Sequence, residues 1–179
     1  MKQFIAQKRL CFAALLETIL CKYGIESFNQ IRIANDLGIT LPPNDVLLKD
    51  IRNAKISENF YDWGMNFKDD DLRSYFFKEK IFLNFDYAFS KIFEDWSFEI
   101  FINERLIESN IICTIDYNTL FNSQNNEIFG HAILLKKING TQISIFDPGP
   151  EFAGDKIIDV YDLYVASKRM NGGLWVFRI

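Results

Sequence analysis

Histidine is almost missing from this sequence: His131 is the single one among 179 residues. That excludes a zinc centre built on two or more imidazoles. It also leaves any nucleophile that needs an imidazole base one candidate. Cysteine is scarce as well. Cys11, Cys21 and Cys113 form an odd set, so a complete disulfide framework is impossible, and no CxxC pair suggests a zinc ribbon or a thioredoxin-like redox site. Excess positive charge is lacking: the formal net charge is −4, which disfavours non-specific attraction to nucleic acid or an anionic membrane. No apolar run approaches the roughly 20 residues needed to span a bilayer. The segment after Lys8-Arg9, Leu10 to Leu20, is interrupted by Glu17 and Thr18 and has no small-residue cleavage site behind it, so it reads as a core helix and not a signal peptide. Three reduced thiols fit a cytoplasmic location. No cofactor and no metal is expected, and neither nucleic acid nor membrane as a partner; the oligomeric state is not legible.

What is present is a large apolar fraction. Hydrophobic types make up 49% of the chain, enough for a folded core and too much for disorder. No repeat or Gly/Ser linker interrupts it, so a single domain over 1–179 is expected. Phe12, Leu15, Leu16, Ile19 and Tyr23 fall at helical spacing and predict an amphipathic helix from about Leu10 to Tyr23, stopped by Gly24. Ser27 with Gln30 three residues on predicts a capping box for a second helix ending at Gly38. A third helix is expected over Asp45 to Ala54, a fourth from Asp69-Asp70-Asp71 to Lys78, and a fifth over about Trp96 to Glu108. Ile81 to Phe85 reads as a short strand inside an aromatic-rich middle, about 56–97. The residues Phe60, Tyr61, Trp63, Phe76 and Phe77 in that middle are expected to fill a small core. Strands follow at Ile111 to Tyr117, His131 to Ile138, Thr141 to Asp147 and Gly173 to Ile179, with a helix over Val160 to Met170. A helical part, about 1–109, thus precedes an antiparallel sheet part, about 110–179. The class is α+β.

Three residues could carry chemistry together, with a fourth in support. Cys11 sits at the start of the first helix, where unpaired N–H groups and the helix dipole favour a thiolate and can also hold an oxyanion. Gln7, four residues upstream, could add a side-chain N–H donor. His131 opens a strand, and Asp147 ends the partner strand. A two-residue Asn139-Gly140 loop would set His131 opposite Pro148. A three-residue loop over Ile138, Asn139 and Gly140 would set it opposite Asp147. The second register pairs Leu135 with Ile143 and Ile133 with Ile145 on one apolar face, so the pattern favours it. Singly, each feature has an ordinary structural role: a cysteine in a helix's first turn as a small buried hydrophobe, a histidine satisfied in a strand, Asp-Pro-Gly as a turn. Their conjunction is a nucleophile, a base and a group to orient the base.

The run Gln7…Cys11-Phe12-Ala13-Ala14-Leu15-Leu16…Tyr23-Gly24, followed by Gly130-His131-Ala132-Ile133 and Ile143-Ser144-Ile145-Phe146-Asp147-Pro148, resembles the papain-like cysteine peptidases. It is closest to the branch that holds the bacteriocin-processing peptidases, which cut leaders after a double glycine. The resemblance covers about 3–40 and 98–179. It implies a papain-like fold with a helical part packed on a C-terminal antiparallel sheet. It implies Cys11 as nucleophile, His131 as general base and acid, Asp147 as the residue orienting His131, and Gln7 as oxyanion donor, with Gln3 as a substitute.

Three departures stand out. The family's Asp-Cys-Gly is Leu10-Cys11-Phe12 here, the glutamine-to-cysteine interval is short, and Gly172-Gly173 lies near the C-terminus and reads as a turn. The expected activity is hydrolysis, through an acyl-enzyme, of a peptide or other amide, a protein segment included. The alternatives are acyl or peptidyl transfer with the same triad, and a papain-like binding module without turnover.

Overall fold

A computed structural model describes residues 1–121 and 126–179. The chain divides into two compact units, Met1–Phe82 and Leu83–Ile179.

The first unit is built on α1 (Cys11–Lys22) and α2 (Gln30–Leu37), with a two-stranded parallel ribbon of β1 (Thr40–Leu41) and β2 (Lys55–Ile56), and then α3 (Asp69–Lys78). The expected amphipathic character of α1 is only part of the picture. Phe12, Ala13, Ala14, Leu15, Leu16, Thr18, Ile19 and Leu20 are all buried, so apolar surface is covered on most of its circumference. The helix ends as its Gly24 predicts. Gly24 adopts φ +76°, its N–H donates to the Cys21 carbonyl, and the Ile25 N–H donates to the Leu20 carbonyl. This paired pattern is a Schellman stop.

The Ser27–Gln30 capping box is not formed. Asn29 caps α2 instead, its side chain accepting from the Arg32 N–H, because asparagine is at least as good a cap as serine and Phe28 before it is buried. Gln30 is thereby free to brace the segment ahead of α1. Its Oε1 accepts from the Gln7 N–H and its Nε2 donates to the Ile5 carbonyl. The helix expected over Asp45 to Ala54 shrinks to one 3₁₀ turn, Val46–Lys49. Beyond it the Arg52 and Asn53 N–H groups donate to the side chain of Asn35, which takes the place of helical carbonyls. The fourth expected helix is α3, with its three aspartates in the first turn. The aromatic middle is a poor core filler. Phe76 is buried, but Phe60, Tyr61 and Phe77 are exposed.

The second unit is a six-stranded, fully antiparallel sheet. Its strands are β3 (Asn84–Phe89), β4 (Asn110–Asp116), β5 (Gly130–Asn139), β6 (Gln142–Asp147), β7 (Gly154–Asp159) and β8 (Gly173–Arg178), in the order β3-β8-β4-β5-β6-β7. The sheet therefore takes in a strand well before residue 110, and β7 has no counterpart among the expected strands. The helices α4 (Asp95–Arg105), α5 (Tyr117–Leu120) and α6 (Val160–Arg169) belong to this unit. Phe98, Ile102, Leu163 and Ala166 pack with Ile111, Cys113, Ile115, Ile133, Leu135, Ile143, Ile145, Leu174 and Val176 in one apolar cluster. On the strands these are alternate residues, the signature of one sheet face.

Gly172 and Gly173 are close-packing positions. A Cβ on Gly172 would lie 2.3 Å from the Thr114 carbonyl oxygen, and one on Gly173 would lie 2.4 Å from the Tyr87 ring. The pair thus does more than turn the chain: Gly173 already begins β8.

Candidate active site

Neither expected hairpin register is the one adopted. Asn139 pairs with Gln142, Ile138 with Ile143 and Lys137 with Ser144. Continued unchanged, that ladder would put His131 and Asp147 on opposite faces. The register shifts between Leu135 and Lys137, where Lys136 is an extra residue on β5, and beyond it Leu135 pairs with Ile145 and Leu134 with Phe146. This bulge restores odd-to-odd pairing. Asp147 then falls opposite Ile133, with His131 as its diagonal neighbour on the same face, within reach of a long side chain. The expected pairs Leu135–Ile143 and Ile133–Ile145 are wrong by two residues. A two-residue error keeps the face, so the expected partnership survives it.

The contact is direct. His131 Nε2 lies 2.8 Å from Asp147 Oδ1, with the His131 side chain 8% exposed and that of Asp147 fully buried. Burial opposes ionisation of Asp147. Hydrogen bonds from His131 and Lys156 outweigh it and hold the carboxyl at about 2. The Gly149 N–H, 2.8 Å from Oδ1, adds to them. An ionised carboxylate only accepts, so His131 Nε2 is the donor and Nδ1 is the ring nitrogen that can take up a proton. Gly149 suits its place: a Cβ there would come 3.0 Å from Asp147 Oδ1 and 3.6 Å from His131 Cε1.

Three further groups support this pair, directly or through the strands that carry it. The Tyr117 ring meets it edge-on, centroids 5.3 Å apart. Burial, then the nearby Asp147 and Glu151 charges, push the Tyr117 hydroxyl up, so it stays protonated. Asp116, fully buried at the end of β4, accepts from the Phe129 N–H at 2.8 Å and the Thr119 hydroxyl, and pairs with Arg169 at 3.2 Å. That ties down the backbone on which His131 starts its strand. Lys156 on β7 donates to Asp147 Oδ2. None of the three carries a local sequence signal. Lys156 sits on the strand that the sequence does not announce, and the roles of Tyr117 and Asp116 depend chiefly on His131, Phe129 and Arg169, which are distant in sequence.

In the first unit, Cys11 is the first residue of α1 and is partly exposed. Leu10, at the cap position, offers no side-chain acceptor, and the first turn carries no acidic residue. The approach to Cys11 is held firmly. Arg9 adopts φ +69°, a conformation costly for a non-glycine residue. Its guanidinium is fixed by Asp45 at 2.8 Å and by the Trp63 ring at 4.8 Å. The Leu10 N–H donates to the Gln7 carbonyl at 2.9 Å. Gln7 is exposed and Gln3 half-buried. Cys21 lies in the last turn of α1. Cys113 is fully buried, and burial pushes its thiol up to about 12 despite a hydrogen bond with Ser167, so it stays a thiol at neutral pH. Among the described residues no cluster of three or more His, Cys, Asp or Glu side chains could hold a metal. Nor is any described helix long and apolar enough to cross a membrane.

No protein-family model and no curated protein matches the sequence. Among solved structures the chain is similar to the crystal structure of a candidate C39-like peptidase from Bacillus anthracis. The TM-score is 0.60 and the identity 14%, over 97% of this chain and 92% of that one. At that identity the likeness speaks to fold alone. With helices N-terminal and an antiparallel sheet C-terminal, the chain has the α+β, papain-like fold that its sequence resembles.

Proposed function

We propose that the protein is a papain-like cysteine peptidase acting through Cys11, His131 and Asp147, with Gln7 as an oxyanion donor. The observation that carries the reading is the 2.8 Å bond between His131 and an ionised, buried Asp147. A carboxylate so placed fixes the tautomer of the imidazole and stabilises the imidazolium. The likeness to a C39-like peptidase fold supports it.

In this mechanism the Cys11 thiolate attacks the substrate carbonyl carbon, forming a C–S bond and an oxyanion near the start of α1. His131 gives its Nδ1 proton to the leaving nitrogen as the C–N bond breaks, which leaves a thioester. His131 then takes a proton from water. The resulting hydroxide attacks the thioester, the C–S bond breaks, and the carboxylic acid leaves with Cys11 again a thiolate. Asp147 stays ionised throughout. If an amine replaces water, the same steps give acyl transfer. The bacteriocin-processing version of this reading expects small residues before the scissile bond.

Two measurements test it. Iodoacetamide labelling followed by mass mapping should modify Cys11 fastest, Cys21 more slowly and Cys113 last. A panel of peptides, some with Gly-Gly before the scissile bond, should be cut by the native chain and not by Cys11→Ala. Equal labelling of Cys11 and Cys21, with no Cys11-dependent cleavage, would sink the reading in favour of a binding module. Product formed only with an added amine would redirect it to transfer.

A further inference from the structure

The apolar face of the second unit ends in a polar row across three neighbouring strands. His131 on β5, Asp147 on β6 and Lys156 on β7 all lie on that face, because Leu135 pairs with Ile145 and Ile145 with Lys156. Asp147 pairs with Gly154, so Lys156 flanks it diagonally on one side as His131 does on the other. The carboxylate is divided between them. Oδ1 accepts from His131 Nε2 and the Gly149 N–H, and Oδ2 accepts from Lys156 Nζ. Lys156 is itself held, its ammonium 4.5 Å from the centre of the Phe121 ring. Its side chain is 26% exposed, whereas Asp147 is fully buried.

We infer that Lys156 is a positioning residue for His131: it takes one oxygen of Asp147, leaves the other for the imidazole, and holds the histidine less basic than an undivided carboxylate would. This rests on the reading of His131 as the proton-transfer group, and gives that reading its pH tuning.

The physical basis is charge. A buried carboxylate facing only a histidine forms a neutral pair when the imidazole is protonated, and so draws a proton onto the ring. With Lys156 present, Asp147 is already neutralised, and protonating His131 leaves the row with a net positive charge in a largely dry place. A general base works best with its titration near the operating pH, which an unshared aspartate would push upward. The other groups around the row do not supply this effect. Tyr117 from α5 is a protonated phenol, and Glu151 after β6 acts on Tyr117 as a negative charge, opposite in sign to Lys156. Asp116 of β4 and Arg169 of α6 are paired with each other, and Lys136 of β5 with Asp155 of β7.

Because His131 is the only histidine, its imidazole C2–H is a single, unambiguous proton resonance. The titration is followed in the Cys11→Ala chain, alone and combined with Lys156→Met, Lys156→Gln or Lys156→Arg. The midpoint should rise by about one pH unit with methionine or glutamine and return with arginine. Glutamine keeps a hydrogen-bond donor without the charge, and it serves if methionine prevents folding. A midpoint unchanged or lowered in the folded Met or Gln variant would overturn the proposal. The readout needs no turnover. An absence of Cys11-dependent cleavage therefore counts against the peptidase reading alone, and a static midpoint against Lys156 alone.

Discussion

His131 and Asp147 meet out of register: they are not directly opposite on β5 and β6, yet their side chains are 2.8 Å apart because the Lys136 bulge puts both on one face. Their bond is the sharpest place to test the chemistry. In Asp147→Asn the side-chain oxygen can still accept from His131, but its NH2 then faces the Lys156 ammonium, donor against donor. The amide also cannot stabilise an imidazolium. Peptide hydrolysis should fall by about two to four orders of magnitude in kcat/KM. Circular dichroism of the same variant should show the fold retained.

Acid should loosen the structure through Asp147. Its carboxyl titrates at about 2 folded against a usual 3.8, so the unfolded chain binds this proton more readily. The stability it contributes is complete above about pH 4 and is lost as the pH falls toward 2. The amount is about 2 kcal/mol. Urea unfolding at a series of pH values should show that decline in the native protein, and a shallower one in Asp147→Asn.

Gly172 should resist substitution more than Gly149. Alanine at 172 drives a Cβ to 2.3 Å from the Thr114 carbonyl oxygen, where a rigidly attached atom meets backbone and neither yields easily. At 149 the nearest atom is a side-chain oxygen 3.0 Å away. A loss of about 1–3 kcal/mol is expected for Gly172→Ala, read from urea midpoints. For Gly149→Ala the expected loss is smaller in stability but visible in the His131 titration, because the Asp147 oxygen must shift.

Asp116→Ala should destabilise the approach to His131. It removes the buried Asp116 carboxylate as acceptor for the Phe129 N–H and for Thr119, at a cost of about 1–3 kcal/mol. The Arg169 pair adds little, since that side chain is 39% exposed. Faster amide exchange at Phe129 would mark the loss, and unchanged protection there would count against this role.

The sequence by itself determined the local events. Helical spacing of apolar residues placed α1 and Gly24 stopped it. Asp69-Asp70-Asp71 opened α3, and Asn139-Gly140 marked the hairpin. Alternation of apolar residues put His131 on the face of Ile133 and Leu135, and Asp147 on the face of Ile143 and Ile145, because side-chain direction repeats every two residues. These features depend on neighbours a few positions apart.

Tertiary structure decided what depends on distant partners. The bulge at Lys136 is one case, since a ladder can absorb an extra residue wherever twist and packing permit. The cap of α2 is another: Asn29 took the role expected of Ser27, and Gln30 turned to brace the segment before Cys11. The strand β7 reads weakly because its apolar residues are few, and it exists by pairing with β6. With it came Lys156, a lone surface-type lysine in the sequence. Only pairing across β5, β6 and β7 puts its charge on Asp147, because Coulomb attraction and hydrogen bonding act through space and carry no local signature.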